Sequence, residues 1–131
     1  MNYLECIQLL CYLLEKLHAD QRQQVNVNKL DEIQMIVVGI NKKLESEYAS
    51  NPILSARVTD LQSGIISIKD TPGLQVLTEQ MKQALVSGIV ALRDELCLKA
   101  YFYFRTHDFE PTPKVIKVMR TVVEVALAKG V

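Results

Sequence analysis

The chain has 131 residues, of which 49% are hydrophobic and 23% charged, and its 15 basic and 15 acidic side chains cancel to a formal net charge of zero. A chain of this length buries roughly 65–70% of its unfolded surface, so residues 1–131 are expected to form one domain without disulfides or metal ions. The neutral balance argues against a nucleic acid or a membrane as a partner recruited mainly by charge.

Glycine and proline are scarce, with five and four residues respectively. An all-β chain needs more turn residues than this, so the composition favours an all-α fold. Cys6, Cys11 and Cys97 form an odd set without a CxxC motif, which predicts free, buried thiols in a reducing, cytoplasmic compartment. The apolar stretch from Leu4 to Leu17 is shorter than the roughly 20 residues that cross a bilayer, so we expect it to be a helix.

The first predicted helix covers residues 3–18 and is apolar over much of its circumference. Such a helix lies centrally in a bundle or is covered by another subunit. We interpret His18, at its end, as a structural residue, since a protonated imidazole suits the negative end of the helix dipole. Its apolar positions are Leu4, Ile7, Leu10, Cys11, Leu13, Leu14 and Leu17.

The second predicted helix covers residues 28–49, with Asn28 as N-cap and acidic residues in its first turn. Three further helices, at 52–69, 72–105 and 113–129, are predicted from pairs in which a capping residue precedes proline. These pairs are Asn51-Pro52, Thr71-Pro72 and Thr112-Pro113. Residues 64–68 would also suit a strand, but an isolated strand would have nothing to pair with, which favours helix.

The fourth predicted helix is too long for its domain. A continuous helix over residues 72–105 would extend about 51 Å, whereas a compact chain of this length is only about 36 Å across. The helix must therefore kink, with Gly88 as the natural place, or protrude into a dimer, or pack along its length against more than one neighbour. The fold expected is an all-α bundle of about five helices around this element.

Aromatic residues are concentrated at the end of that helix. Five of the eight in the chain lie within nine positions: Tyr101, Phe102, Tyr103, Phe104 and Phe109. Four consecutive helical residues point about 100° apart, so one or two of these rings cannot reach the core. The segment either plugs the end of the bundle or binds a partner protein. Both interpretations stay open. The segment, with Arg105 and His107 as a possible polar rim, is the candidate partner-binding surface, because aromatic residues are enriched in interface cores.

Two other functions are less well supported by the sequence. Arg105, His107 and Asp108 could serve a small helical ribonuclease or hydrolase, although adjacent His and Asp side chains rarely form a metal site without further ligands. Lys114, Lys117 and Arg120 form a small basic edge that could bind nucleic acid weakly. No phosphate-binding loop or metal-ligand pattern occurs, so neither a cofactor nor a small-molecule ligand is predicted.

The prediction that combines these observations is a non-enzymatic protein–protein interaction module. A small bacterial adaptor, a secretion-type chaperone or an immunity-like binder would each fit such a chain. We expect it to form a homodimer, through either the first helix or the aromatic segment.

Overall fold

Five helices account for most of the chain in the computed structural model, which describes residues 3–19, 25–107 and 112–130. They are α1 (Tyr3–Ala19), α2 (Lys29–Leu44), α3 (Pro52–Lys69), α4 (Glu79–Thr106) and α5 (Pro113–Ala128). A 3₁₀ turn, Glu45–Glu47, follows α2, and the described residues contain no strand. The predicted all-α bundle is confirmed.

The first four helices form a closed ring. α1 contacts α2, α2 contacts α3, α3 contacts α4, and α4 contacts α1. Glu5 near the start of α1 pairs with Lys43 near the end of α2 at 2.6 Å, and Asp31 pairs with Lys69 at the end of α3 at 2.7 Å. Neighbouring helices in these two pairs are therefore antiparallel, as in an up-and-down four-helix bundle. α5 packs against both α1 and α4.

One hydrophobic cluster joins all five helices. Because the apolar positions of each helix recur at spacings of three and four, they form the inward stripe that a bundle requires. α1 is central, with its apolar side chains buried against α2, α4 and α5. The fully buried large side chains are Ile7, Leu10, Leu13, Leu17, Leu30, Ile40, Leu44, Leu54, Ile65, Ile89, Leu92 and Leu96.

The predicted start of the fourth helix at Pro72 is wrong. α3 has already ended at Lys69, and Gly73 lies in the left-handed region at φ 71°, where the chain turns instead of starting a new helix. Residues 74–78 are then extended, and Leu77 donates its backbone N–H to the Val25 carbonyl at 2.9 Å. α4 begins only after Thr78, whose Oγ1 accepts from the Met81 N–H at 3.1 Å and so acts as the N-cap.

Two features of α2 also differ from the prediction. Asn28 has helical dihedral angles and forms no capping bond; instead the Asn26 side chain accepts from the Asn28 N–H at 3.2 Å. α2 ends at Leu44 rather than at residue 49. After it the chain forms hydrogen bonds between residues three apart, as in a 3₁₀ helix, such as that from the Tyr48 N–H to the Glu45 carbonyl at 3.2 Å. In contrast, Asn51 caps α3 as predicted, accepting from the Leu54 N–H at 3.3 Å.

The length of α4 is accommodated by packing against three neighbours. The helix has 28 residues, about 42 Å at 1.5 Å per residue, and it contacts α1, α3 and α5. Gly88 lies at the approach of α3: a Cβ atom there would be 3.2 Å from Leu61 Cδ1. The glycine therefore permits close packing of α3 against α4. Residues 64–68 are helical, which resolves the other ambiguity.

Two helical glycines should respond differently to alanine. A Cβ on Gly64 would meet nothing within 4 Å, so Gly64→Ala is expected to stabilise the chain by about 0.5–1 kcal/mol through helix propensity alone. Gly88→Ala should gain less, because its Cβ must displace Leu61. Urea denaturation measures both; an equal gain at the two positions would show that Gly88 has no packing role.

Candidate interaction surface at the end of the fourth helix

The last turns of α4 carry the predicted aromatic segment, and its four described rings have different environments. Tyr101 and Phe104 are half-buried and pack against the hydrophobic core. Phe102 is 50% exposed, and its ring contacts Tyr101 edge to face at 5.9 Å between centroids. Tyr103 is half-buried. The segment thus both seals the end of the bundle and presents one large apolar ring to its surroundings; Phe109 lies outside the described residues.

The two predicted rim residues stack on rings of this segment. His107 lies parallel to Tyr103, with centroids 4.1 Å apart and planes 10° apart, and Arg105 lies over Tyr101 with its guanidinium carbon 5.8 Å from the ring centroid. Both Arg105 and His107 are exposed. The helix end is held by Thr106, whose hydroxyl contacts the Phe102 carbonyl at 3.1 Å and His107 Nδ1 at 2.8 Å.

The arrangement separates the residues proposed for a hydrolase. Tyr101 and Tyr103 are two positions apart in the helix and point about 200° apart. Arg105 follows the first ring and His107 the second, so their side chains diverge. Asp108 lies outside the described residues, among which no three His, Cys, Asp or Glu side chains are grouped to hold a metal ion. The Arg105–His107 pair therefore does not converge on one reacting atom.

The three thiols are free and largely withdrawn from water. Cys6 and Cys97 are buried and Cys11 is half-buried. Burial raises the pKa of Cys6 to about 11 and that of Cys97 to about 12, and it also raises the pKa of Cys11. A raised pKa disfavours the thiolate, which is the nucleophilic form, so the predicted inert character of Cys6 and Cys97 agrees with their environment. His18 is exposed.

A second apolar surface runs along α5, and sequence reasoning missed it. Val122 and Ala126 of this helix are fully buried in the core. However, Ile116, Val123 and Leu127 are 49%, 40% and 61% exposed. α5 carries more apolar residues than one buried stripe needs, and its sequence did not show which of the additional ones stay exposed. We call the exposed row Ile116, Arg120, Val123 and Leu127 the outer row of α5.

The structure also contains grooves between helices. One groove of about 550 Å³ lies between α3 and the first half of α4. Gly64, Ala84 and Gly88 line it, and their small or absent side chains do not fill this space. Another of about 250 Å³ lies between α1 and α5. Lys114 and Lys117 of the predicted basic edge line this second groove together with Glu15, so its charge is mixed.

Comparisons outside the chain add no further guide to function. None of its described helices is long and apolar enough to cross a membrane. The chain matches no protein-family model, no curated protein and no solved structure. Its function is therefore inferred from its own residues.

Proposed function

We propose that the chain is a non-enzymatic protein–protein interaction module whose partner-binding surface is the end of α4. The observation that carries this proposal is the half-exposed ring of Phe102, held edge to face by a tyrosine that is itself packed on the core. A rigidly supported aromatic side chain gains a large apolar contact on binding while losing little conformational freedom, which is why such residues dominate interface energetics.

The residues around Phe102 have the composition of an interface. Arg105 and His107 are exposed beside the aromatic rings, and their hydrogen-bonding groups can form the polar rim that surrounds an apolar anchor. Tyr101 and Phe104 support the surface from the core side. In this proposal the partner contacts Phe102 and Tyr103 first, while Tyr101 and Phe104 hold the platform in place.

The test compares two exposed apolar residues on different helices. Phe102 is 50% exposed and Ile53, at the start of α3, is 54% exposed. We expect Phe102→Ser to remove the partner from affinity-purified complexes, measured by quantitative mass spectrometry, whereas Ile53→Ser retains it. Both changes should alter the free energy of unfolding by less than about 1 kcal/mol, because neither empties a core position.

A photocrosslinking residue tests whether the partner contacts this surface directly. Placed at 102 it should form an adduct with the same partner, and placed at 53 it should not. Retention of every partner by Phe102→Ser, or equal loss with Ile53→Ser, would overturn the assignment of this surface.

A further inference from the structure

The outer row of α5 lies on the exposed part of the helix, to one side of the direction that points away from the core. Val118, Val122 and Ala126 point into the core at 7%, 0% and 0% exposure. At about 100° per residue, the outer row is centred about 130° from this buried stripe, so it lies on one side of the exposed face. The residues nearest the direction opposite the core are Arg120, Glu124 and Lys117. Its members follow one another at spacings of four, three and four, which is the pattern by which one helix packs along another.

We propose that a second copy of this chain covers the outer row, with the two α5 helices antiparallel about a two-fold axis. The spacings four, three and four read the same in both directions, so the row is complementary to itself when it is reversed. Ile116 then meets Leu127 of the partner subunit, and Arg120 meets Val123 of the partner subunit. Self-complementarity of this kind is what an isologous two-fold interface requires.

The charges beside the row favour the same arrangement. Lys117 and Glu124 lie on one flank of it, next to Arg120, and all three side chains are exposed. In an antiparallel two-fold pair the same flanks face each other, so Glu124 lies between Lys117 and Arg120 of the partner subunit. A parallel pair would instead place Arg120 directly against its own copy in the seam, where like charges repel.

This surface is separate from the aromatic one. The outer row shares no residue with Tyr101–Phe104, so dimerisation and partner binding can succeed or fail independently. Because the leucine-rich stripe of α1 is buried within the chain, α5 replaces the first helix as the expected site of self-association. One pair of 16-residue helices buries less than the roughly 1,200 Å² of a standard interface, so we expect a dissociation constant on the order of micromolar.

The test exploits two pairs of residues with equal exposure. Val123 on α5 and Val38 on α2 are both 40% exposed, and Ile116 on α5 and Ile66 on α3 are both 49% exposed. In sedimentation equilibrium, Val123→Glu and Ile116→Glu should each weaken dimerisation at least about tenfold. Val38→Glu and Ile66→Glu should leave it unchanged, with circular dichroism confirming that all four variants are folded.

Two results would overturn the proposal. One is a wild-type chain that stays monomeric up to about 0.5 mM. The other is a dimer that Val38→Glu or Ile66→Glu weakens as much as the α5 variants do. That result would mean that the dimer interface is formed by α2 and α3. Phe102→Ser should not alter the dimer.

The orientation is tested by cysteine crosslinking in a Cys11→Ser background. Residue 116 of each chain would lie about 16 Å along the axis from its own copy. Ile116→Cys alone and Leu127→Cys alone should therefore remain uncrosslinked under mild oxidation, whereas a mixture of the two should form a disulfide. Self-crosslinking of either single variant would contradict the antiparallel register.

Charge reversal provides an independent check. Glu124→Lys should weaken the dimer by leaving only positive charges on that flank. The combined change Lys117→Glu, Arg120→Glu and Glu124→Lys should restore it, since every facing pair is again of opposite sign. Failure of the combined change to restore any dimer would contradict the proposed pairing.

Discussion

Replacing Leu92 with alanine is expected to lower the free energy of unfolding by about 3 kcal/mol. Leu92 is fully buried on α4, the helix that packs against three others. Truncation removes the transfer free energy of the lost carbons and leaves a cavity that a helix held on several sides cannot collapse to fill. In a chain of this size the loss corresponds to roughly 10 °C in melting temperature.

Urea denaturation at neutral pH measures this effect, and an exposed residue provides the control. Met35 is 76% exposed, so Met35→Ala should change the free energy of unfolding by less than about 0.5 kcal/mol. The measurement should be made at a chain concentration low enough to avoid self-association, which would add its own stability. A loss below about 1 kcal/mol for Leu92→Ala would contradict the central position of α4.

The chain is also expected to lose stability steeply above pH 9. Burial raises the pKa of Cys6 from 9.0 to about 11 and that of Cys97 from 9.0 to about 12. The folded state therefore holds these protons more tightly than the unfolded state does. The resulting stabilisation is complete below about pH 9 and is lost as the pH rises through the folded-state pKa values. By pH 10.5 the loss should reach about 2 kcal/mol for each thiol.

The matched control for this loss is the variant Cys6→Ala with Cys97→Ala. Its free energy of unfolding starts lower, because two buried sulfur atoms are gone, but it should fall less steeply between pH 9 and pH 10.5. Tyr3, whose pKa is raised to about 12 by burial and by the nearby Glu47, titrates in both proteins and cancels in the comparison. Parallel pH profiles for the variant and the wild type would show that the thiols do not account for the loss.

The start of α4 shows why one boundary was not predictable locally. Thr71-Pro72 and Thr78 both have the chemistry of a helix start, and Leu74 and Leu77 continue the apolar stripe of the helix backwards. Which of the two starts the helix depends on contacts with a distant segment. The Val27 N–H donates to the Gln75 carbonyl at 3.0 Å, and Asn26 forms an isolated antiparallel β-bridge with Val76. The Pro72-Gly73 dipeptide was the one local signal of a turn.

The aromatic segment was located by sequence, but the roles of its rings were not. A run of four aromatic residues on a helix must send at least one ring outward, and this much follows from the sequence alone. Phe102 is the exposed ring, while Tyr101 and Phe104 pack on the core. This division depends on how the other helices pack against α4. The local sequence therefore does not predict which of the four rings is exposed.

The sequence by itself determined that the chain forms five helices, although not all of their boundaries, because apolar spacing and helix caps act within a few residues. It predicted the all-α class, the apolar positions of α1, the cap of α3 and the first residue of α5. The tertiary structure alone decided which further apolar residues of α5 stay exposed, which aromatic ring is exposed, and where α4 begins. These features depend on contacts between residues distant in the chain, and burial of one apolar stripe rather than another is a property of the assembled bundle.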